Sequence, residues 1–101
     1  MKNIYIIVKF ALNDGVKIEE WKTLSDKISS DMKGTDGLQF RESAVDEKGN
    51  VYCILKWDTI EQRTVFFDNM QKDFKENPEK MAGFGKIADM KTMEMNVLTV
   101  V

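Results

Sequence analysis

Histidine is absent from this chain, and that absence removes more chemistry than any single residue supplies. No Ser-His-Asp or Cys-His couple can form, no imidazole can hold zinc or haem iron, and no side chain titrates near neutrality without perturbation. Cysteine occurs once, at Cys53, which excludes an internal disulfide and a cysteine-cluster metal site and agrees with a reducing compartment. No apolar run approaches the roughly 20 residues that a membrane span requires. The start Met1-Lys2-Asn3 leads straight into apolar positions with no small-residue cleavage site behind them. A cytoplasmic protein without metal or cofactor and without membrane contact is the expectation. Basic excess is missing too: 15 Lys and Arg stand against 17 Asp and Glu, which opposes a surface that tracks nucleic-acid phosphates.

What remains is an ordinary globular composition. With 101 residues, 43% apolar and 32% charged, the chain forms one domain with a modest core, near the size at which a second subunit helps burial. Ile4 to Leu12 alternates as a central strand, with Ile4, Ile6, Val8, Phe10 and Leu12 on one face and Tyr5, Ile7, Lys9 and Ala11 on the other. Asn13-Asp14-Gly15 supplies a turn. Ile18, Trp21, Leu24, Ile28 and Met32 then recur at helical spacing as far as Gly34. Leu38 to Val45 and Val51 to Trp57 flank Asp46-Glu47-Lys48-Gly49-Asn50 as a hairpin. Thr59 with Gln62 has the form of a capping box, so a second helix runs from Ile60 toward Glu76. Asn77-Pro78 interrupts it, although Pro78 can open a short turn through Met81. Ala82-Gly83-Phe84-Gly85 reads as a loop, and Met93 to Val100 alternates as a last strand.

The order is βαββαβ: a ferredoxin-like α+β domain, an antiparallel sheet with two helices on one face. The other face displays Tyr5, Ile7, Tyr52, Ile54, Leu98 and Val100 among Lys9, Arg41, Lys56 and Glu94, an apolar area that a second copy would cover by packing sheet against sheet.

Element order, length and the strand-ending Trp57-Asp58-Thr59 with Glu61 behind it resemble the dimeric α+β barrel superfamily, and within it the antibiotic biosynthesis monooxygenase-like branch. The resemblance spans nearly the whole chain. It implies a homodimer with a pocket between sheet and helices in each subunit, where active members oxygenate phenolic or quinol compounds without metal or flavin. Haem-degrading relatives need a histidine late in the second helix and are excluded here. Some polyketide-oxidising relatives carry an asparagine four residues before the strand-ending tryptophan, and this chain has Cys53 there.

Trp57 and Arg63 are the candidate catalytic residues. An indole at a strand end can border a pocket and donate a hydrogen bond, or simply roof the sheet. Arg63 shares the helical stripe of Ile60, Phe67 and Met70, where a guanidinium can hold a phenolate or an oxygen-derived anion, or snorkel to solvent. Phe10, Phe66, Phe67, Met70 and Phe84 are the candidate substrate-binding residues, since aromatic and Met-rich stripes suit an adaptable apolar pocket as well as a core. Cys53 has no base to activate it and reads as a buried thiol. Two other functions compete with a cofactor-free monooxygenase: a noncatalytic ligand-binding or structural dimer, and an RNA-binding sheet using Tyr5 and Tyr52. The acidic balance and Asn50 and Leu55 at the further aromatic positions oppose the latter.

Overall fold

A computed structural model describes residues 2–101. The elements are β1 (Ile4–Leu12), α1 (Ile18–Met32), β2 (Leu38–Val45), β3 (Val51–Trp57), α2 (Ile60–Glu76), α3 (Pro78–Ile87) and β4 (Ala88–Thr99). The four strands form one sheet in the order β2-β3-β1-β4, every pair antiparallel. This is the ferredoxin-like arrangement that the pattern of strands and helices predicts.

Register explains which face is the core. Val8 lies opposite Cys53 and Met95, and Ile4 opposite Trp57 and Thr99, so alternation puts Ile4, Ile6 and Phe10 on the face that the helices cover. Phe10, Trp21, Val51, Cys53 and Ala88 form one buried cluster, and Ile4, Ile6, Met32 and Trp57 a second. Phe10 sits edge-on to Trp21 and Phe84 at centroid separations of 5.0 and 5.6 Å. On the opposite face Lys56 Nζ lies 5.4 Å above the Tyr5 ring and Lys9 Nζ 5.7 Å above Tyr52. The lysine stems thus shield apolar rings while their charges stay in water.

Three details differ from the sequence expectation. Ala82-Gly83-Phe84-Gly85 is helical, inside α3. Pro78 occupies the first turn of that helix, where its missing N–H costs nothing, and Phe84 packs on Phe10 and Trp21, so tertiary anchoring outweighs the low helix propensity of two glycines. β4 begins at Ala88 rather than Met93. Its pairing with β1 jumps from Lys9–Glu94 to Ala11–Asp89, leaving Met90 to Met93 bulged opposite Phe10. Thr92 Oγ1 accepts the Ala11 N–H at 2.8 Å and closes that irregularity. Finally, Arg41 lies on the helix-covered face, not the open one. Leu38 pairs with Trp57, but Phe40 pairs with Lys56, so Gln39 is an extra residue. One such residue moves every later side chain to the other face.

Candidate functional site

The wall of the site is α2. Thr59 begins it because its hydroxyl accepts the Gln62 N–H at 3.2 Å, satisfying one of the free donors of the first turn. From there the helix follows β3 directly, and Phe66 comes to rest on Trp57 with ring centroids 5.3 Å apart. Yet none of its residues is buried. α2 leans on the sheet along one edge and leaves its aromatic stripe within reach of solvent.

Its two flanks are chemically distinct. On the β4 side, the Arg63 guanidinium lies 4.6 Å from the centre of the Phe67 ring and donates from Nη2 to Met95 Sδ at 3.3 Å. Lys80–Asp73 is the only ion pair among the described residues, so this guanidinium has no carboxylate neutralising it. Met70 follows one turn further along the same stripe. Met95 and Val97, opposite on the edge strand, are about half exposed at 47% and 50%. A guanidinium set against an aromatic ring and a thioether can take a flat anion, since it offers planar hydrogen-bond donors beside apolar surface.

On the α1 side runs a groove of about 300 Å³, bounded by Thr35 and Asp36 in the turn after α1 and by Glu61, Gln62, Val65, Phe66 and Asn69 of α2. Acidic residues alone carry charge there. Asp36 and Val65 carry no local signal in the sequence, because only the docking of the turn on α2 brings them together.

The named candidates therefore separate. Trp57 is 1% exposed and lies beneath Phe66. Phe10 is equally buried, packed with Phe84 and Trp21. Arg63 and Phe67 meet on the β4 flank, while Phe66 lines the groove on the other. Arg41 belongs to a third constellation: its Nη1 donates to Ser25 Oγ at 2.8 Å, to the Ser25 carbonyl at 3.3 Å and to Ser29 Oγ at 2.7 Å, and its Nη2 reaches Cys53 Sγ at 3.7 Å. Nearby, Trp21 Nε1 donates to Ser43 Oγ at 2.9 Å. These contacts clamp α1 to β2. Burial pushes the Cys53 thiol above its ordinary pKa, and the Arg41 charge only partly offsets this, so Cys53 stays protonated and unreactive.

No family model matches the sequence, and no curated protein matches it either. Solved structures do match in fold. A "putative antibiotic biosynthesis monooxygenase" from Bordetella bronchiseptica superposes with a TM-score of 0.74 at 13% identity, covering 100% of this chain and 99% of its own. A protein of the same description from Chloroflexus aurantiacus gives 0.64 at 15% identity, covering 98% and 93%. Rv0793 from Mycobacterium tuberculosis gives 0.59 at 10% identity, covering 98% and 95%. The chain thus shares its fold with these three proteins over 98–100% of its length. No helix among the described residues is long and apolar enough to cross a membrane.

Proposed function

We propose that the protein is a homodimer of the antibiotic biosynthesis monooxygenase-like type that binds a small phenol or quinol between α2 and β4 and oxygenates it without metal or flavin. The observation that carries this reading is the Arg63 guanidinium, unneutralised and set against Phe67 and Met95. A phenolate seated there places its oxygen on the guanidinium and its ring against apolar surface. An electron-rich ring can itself reduce dioxygen, and the protein's part is to orient the ring and stabilise the reduced oxygen anion. For an anthrone, a CH₂ carbon becomes a carbonyl, one oxygen atom is retained and the other leaves as water with the two hydrogens. With no histidine to act as base, ionisation falls to the substrate, so the rate rises with pH through the substrate's own pKa. The second copy covers the open face around Ile7, Ile54 and Leu98.

Oxygen uptake with a panel of anthrones and quinols tests the reading, with sedimentation for the dimer. Saturable, protein-dependent uptake that falls at least tenfold in Arg63→Gln is expected. Uptake no faster than in buffer would sink the enzymatic reading. One observation favours a noncatalytic ligand-binding dimer: Trp57 is sealed beneath Phe66, which leaves Arg63 as the sole polar side chain of the two proposed for catalysis on that flank. Saturable binding of the same compounds without uptake is the outcome expected of that alternative.

A further inference from the structure

The α1-side groove calls for a ligand of opposite charge to the β4 flank. It is shaped by a turn that the fold holds rigidly. Thr35 donates to the Met32 carbonyl through both its hydroxyl, at 2.6 Å, and its N–H, at 3.1 Å. Leu38 N–H returns to the Thr35 carbonyl at 3.1 Å, and Asp58 N–H takes the Gly37 carbonyl at 2.8 Å. Gly37 has φ of +83°, and a Cβ at that position would run into the Gln62 side chain. Glycine suits both demands, because a side chain is disfavoured in that conformation and would have to displace Gln62. The turn therefore comes up close against Gln62 in the first turn of α2, and the two together bound the groove.

The lining is amphipathic in a directed way. Glu61, Val65 and Asn69 recur one helical turn apart, so the groove follows α2 for roughly 12 Å at 1.5 Å per residue. Asp36 and Glu61 bring carboxylates from two separate elements to this wall. The single ion pair of the described residues lies elsewhere, at Lys80–Asp73, so neither acid is neutralised within the chain. Between the polar positions lie the Phe66 ring and Val65, the latter 61% exposed, far more than a helix side chain needs if its purpose were to pack. Glu61 in the first turn also complements the helix dipole, but that accounts neither for Asp36 nor for the apolar wall beside them.

We infer that this groove binds a small organic cation, a protonated primary amine carried on an aromatic or arylalkyl body. The ammonium lies between Asp36 and Glu61, donating to both, and the ring lies along Val65 and Phe66. Neutral isosteres lose the charge-assisted hydrogen bonds, and carboxylate isosteres meet two like charges. The inference does not rest on the oxygenase reading, since the two ligands occupy opposite flanks of α2.

The test is an amide-resolved NMR titration of the full chain with 2-phenylethylammonium, 2-phenylethanol and 3-phenylpropionate. The ammonium compound is expected to give saturable shifts confined to residues 35–37 and 61–69. Its affinity should be at least tenfold above that of the alcohol, with no saturable binding of the carboxylate. Glu61→Gln and Asp36→Asn should each weaken it about three- to tenfold while leaving the unbound spectrum otherwise intact. Equal affinity for all three compounds overturns the inference, as do shifts centred on Arg63 and Met95, or an affinity unchanged in both variants. Oxygen uptake in the same two variants reports on the β4 flank separately, so failure of one site is distinguishable from failure of the other.

Discussion

The two long helices lie on the same face of the same sheet and behave in opposite ways. α1, of 15 residues, buries Trp21, Ser25 and Met32, whereas α2, of 17 residues and richer in phenylalanine, buries nothing. Aromatic content thus does not decide burial in this fold; attachment does. α1 is fixed to the sheet by the Phe10–Trp21 ring contact, the Trp21–Ser43 hydrogen bond and the Arg41 clamp. The described ring contact between α2 and the sheet is Phe66 on Trp57. Apolar side chains that a protein leaves half-exposed beside its core are the ones a ligand can use, and α2 carries such side chains on both flanks.

Removing an aromatic residue from each side gives the largest contrast. Trp21→Ala deletes a side chain that is 3% exposed and leaves Ser43 without its indole donor. A cost of about 3–5 kcal/mol is expected, measured by urea unfolding. Phe66→Ala removes a partly buried ring from the edge of the core and should cost about 1–2 kcal/mol. Equal costs would mean that α2 is as much a part of the core as α1, and the division drawn between the helices would fail.

The two arginines sharpen the comparison at a smaller scale. Arg41→Ala leaves Ser25, Ser29 and the Ser25 carbonyl without their donor in a partly buried seam, and about 1–3 kcal/mol should be lost. Arg63→Ala removes a side chain whose hydrogen bond is to a thioether, so stability should change by about 0.5 kcal/mol or less, while phenolate binding falls. In the same experiment Cys53 should react with a thiol reagent only as fast as the protein unfolds, and faster in Arg41→Ala because the seam loosens. A Cys53 modified at the rate of a free thiol in the native protein would contradict its burial.

The succession of elements, both long helices and the hairpin were legible in the sequence because each rests on local periodicity or turn chemistry. Asp46 illustrates this: its Oδ1 accepts the Lys48 and Asn50 N–H groups at 2.9 Å each, bonds that Asp-x-x-Gly-Asn encodes within five residues. What escaped were features set by long-range register. Nothing near Gln39 announces an extra residue, yet that residue turns Arg41 from the open face to the clamp. The α3 helix escaped because Phe84, docking on Phe10 from a distance in sequence, overrides the two glycines. The site was half legible: helical spacing put Arg63 beside Phe67, but not Asp36 beside Glu61, which lie on elements whose approach only the fold defines. The dimeric half of the expectation has its own measurement in sedimentation.

Helix starts give a smaller difference of the same kind. Thr59 caps α2 through its hydroxyl, whereas α1 begins at Lys17, whose side chain makes no cap bond and whose N–H is taken by Glu20 Oε2 at 2.8 Å. Thr59→Ala should therefore cost about 1 kcal/mol. It should also raise hydrogen exchange in the first turns of α2, next to both flanking sites, and leave α1 unchanged. If exchange rose equally in both helices, α2 would not be an independently held wall.

The smallest effect lies where α2 ends. Asp73 accepts hydrogen bonds from Lys80 Nζ at 2.7 Å and from Asn77 Nδ2 at 2.9 Å, joining α2 to α3. The bond from Lys80 is the main cause that holds the Asp73 carboxyl below its ordinary value of 3.8, and the same bond raises Lys80 above 10.5. A carboxyl with a depressed folded pKa stabilises above its unfolded value and loses that contribution as pH falls through the folded one; a raised ammonium stabilises below its unfolded value and loses it as pH rises through the folded one. The melting temperature should thus be flat with respect to this pair across the neutral range and should decline at both extremes. Because both groups are well exposed, the amplitude should be small and should shrink with added salt. Asp73→Asn should remove the pair's contribution at both ends together, since one interaction produces both shifts. An alkaline decline that survives in Asp73→Asn would assign it to other lysines and leave the α2–α3 junction held by Asn77 and backbone alone.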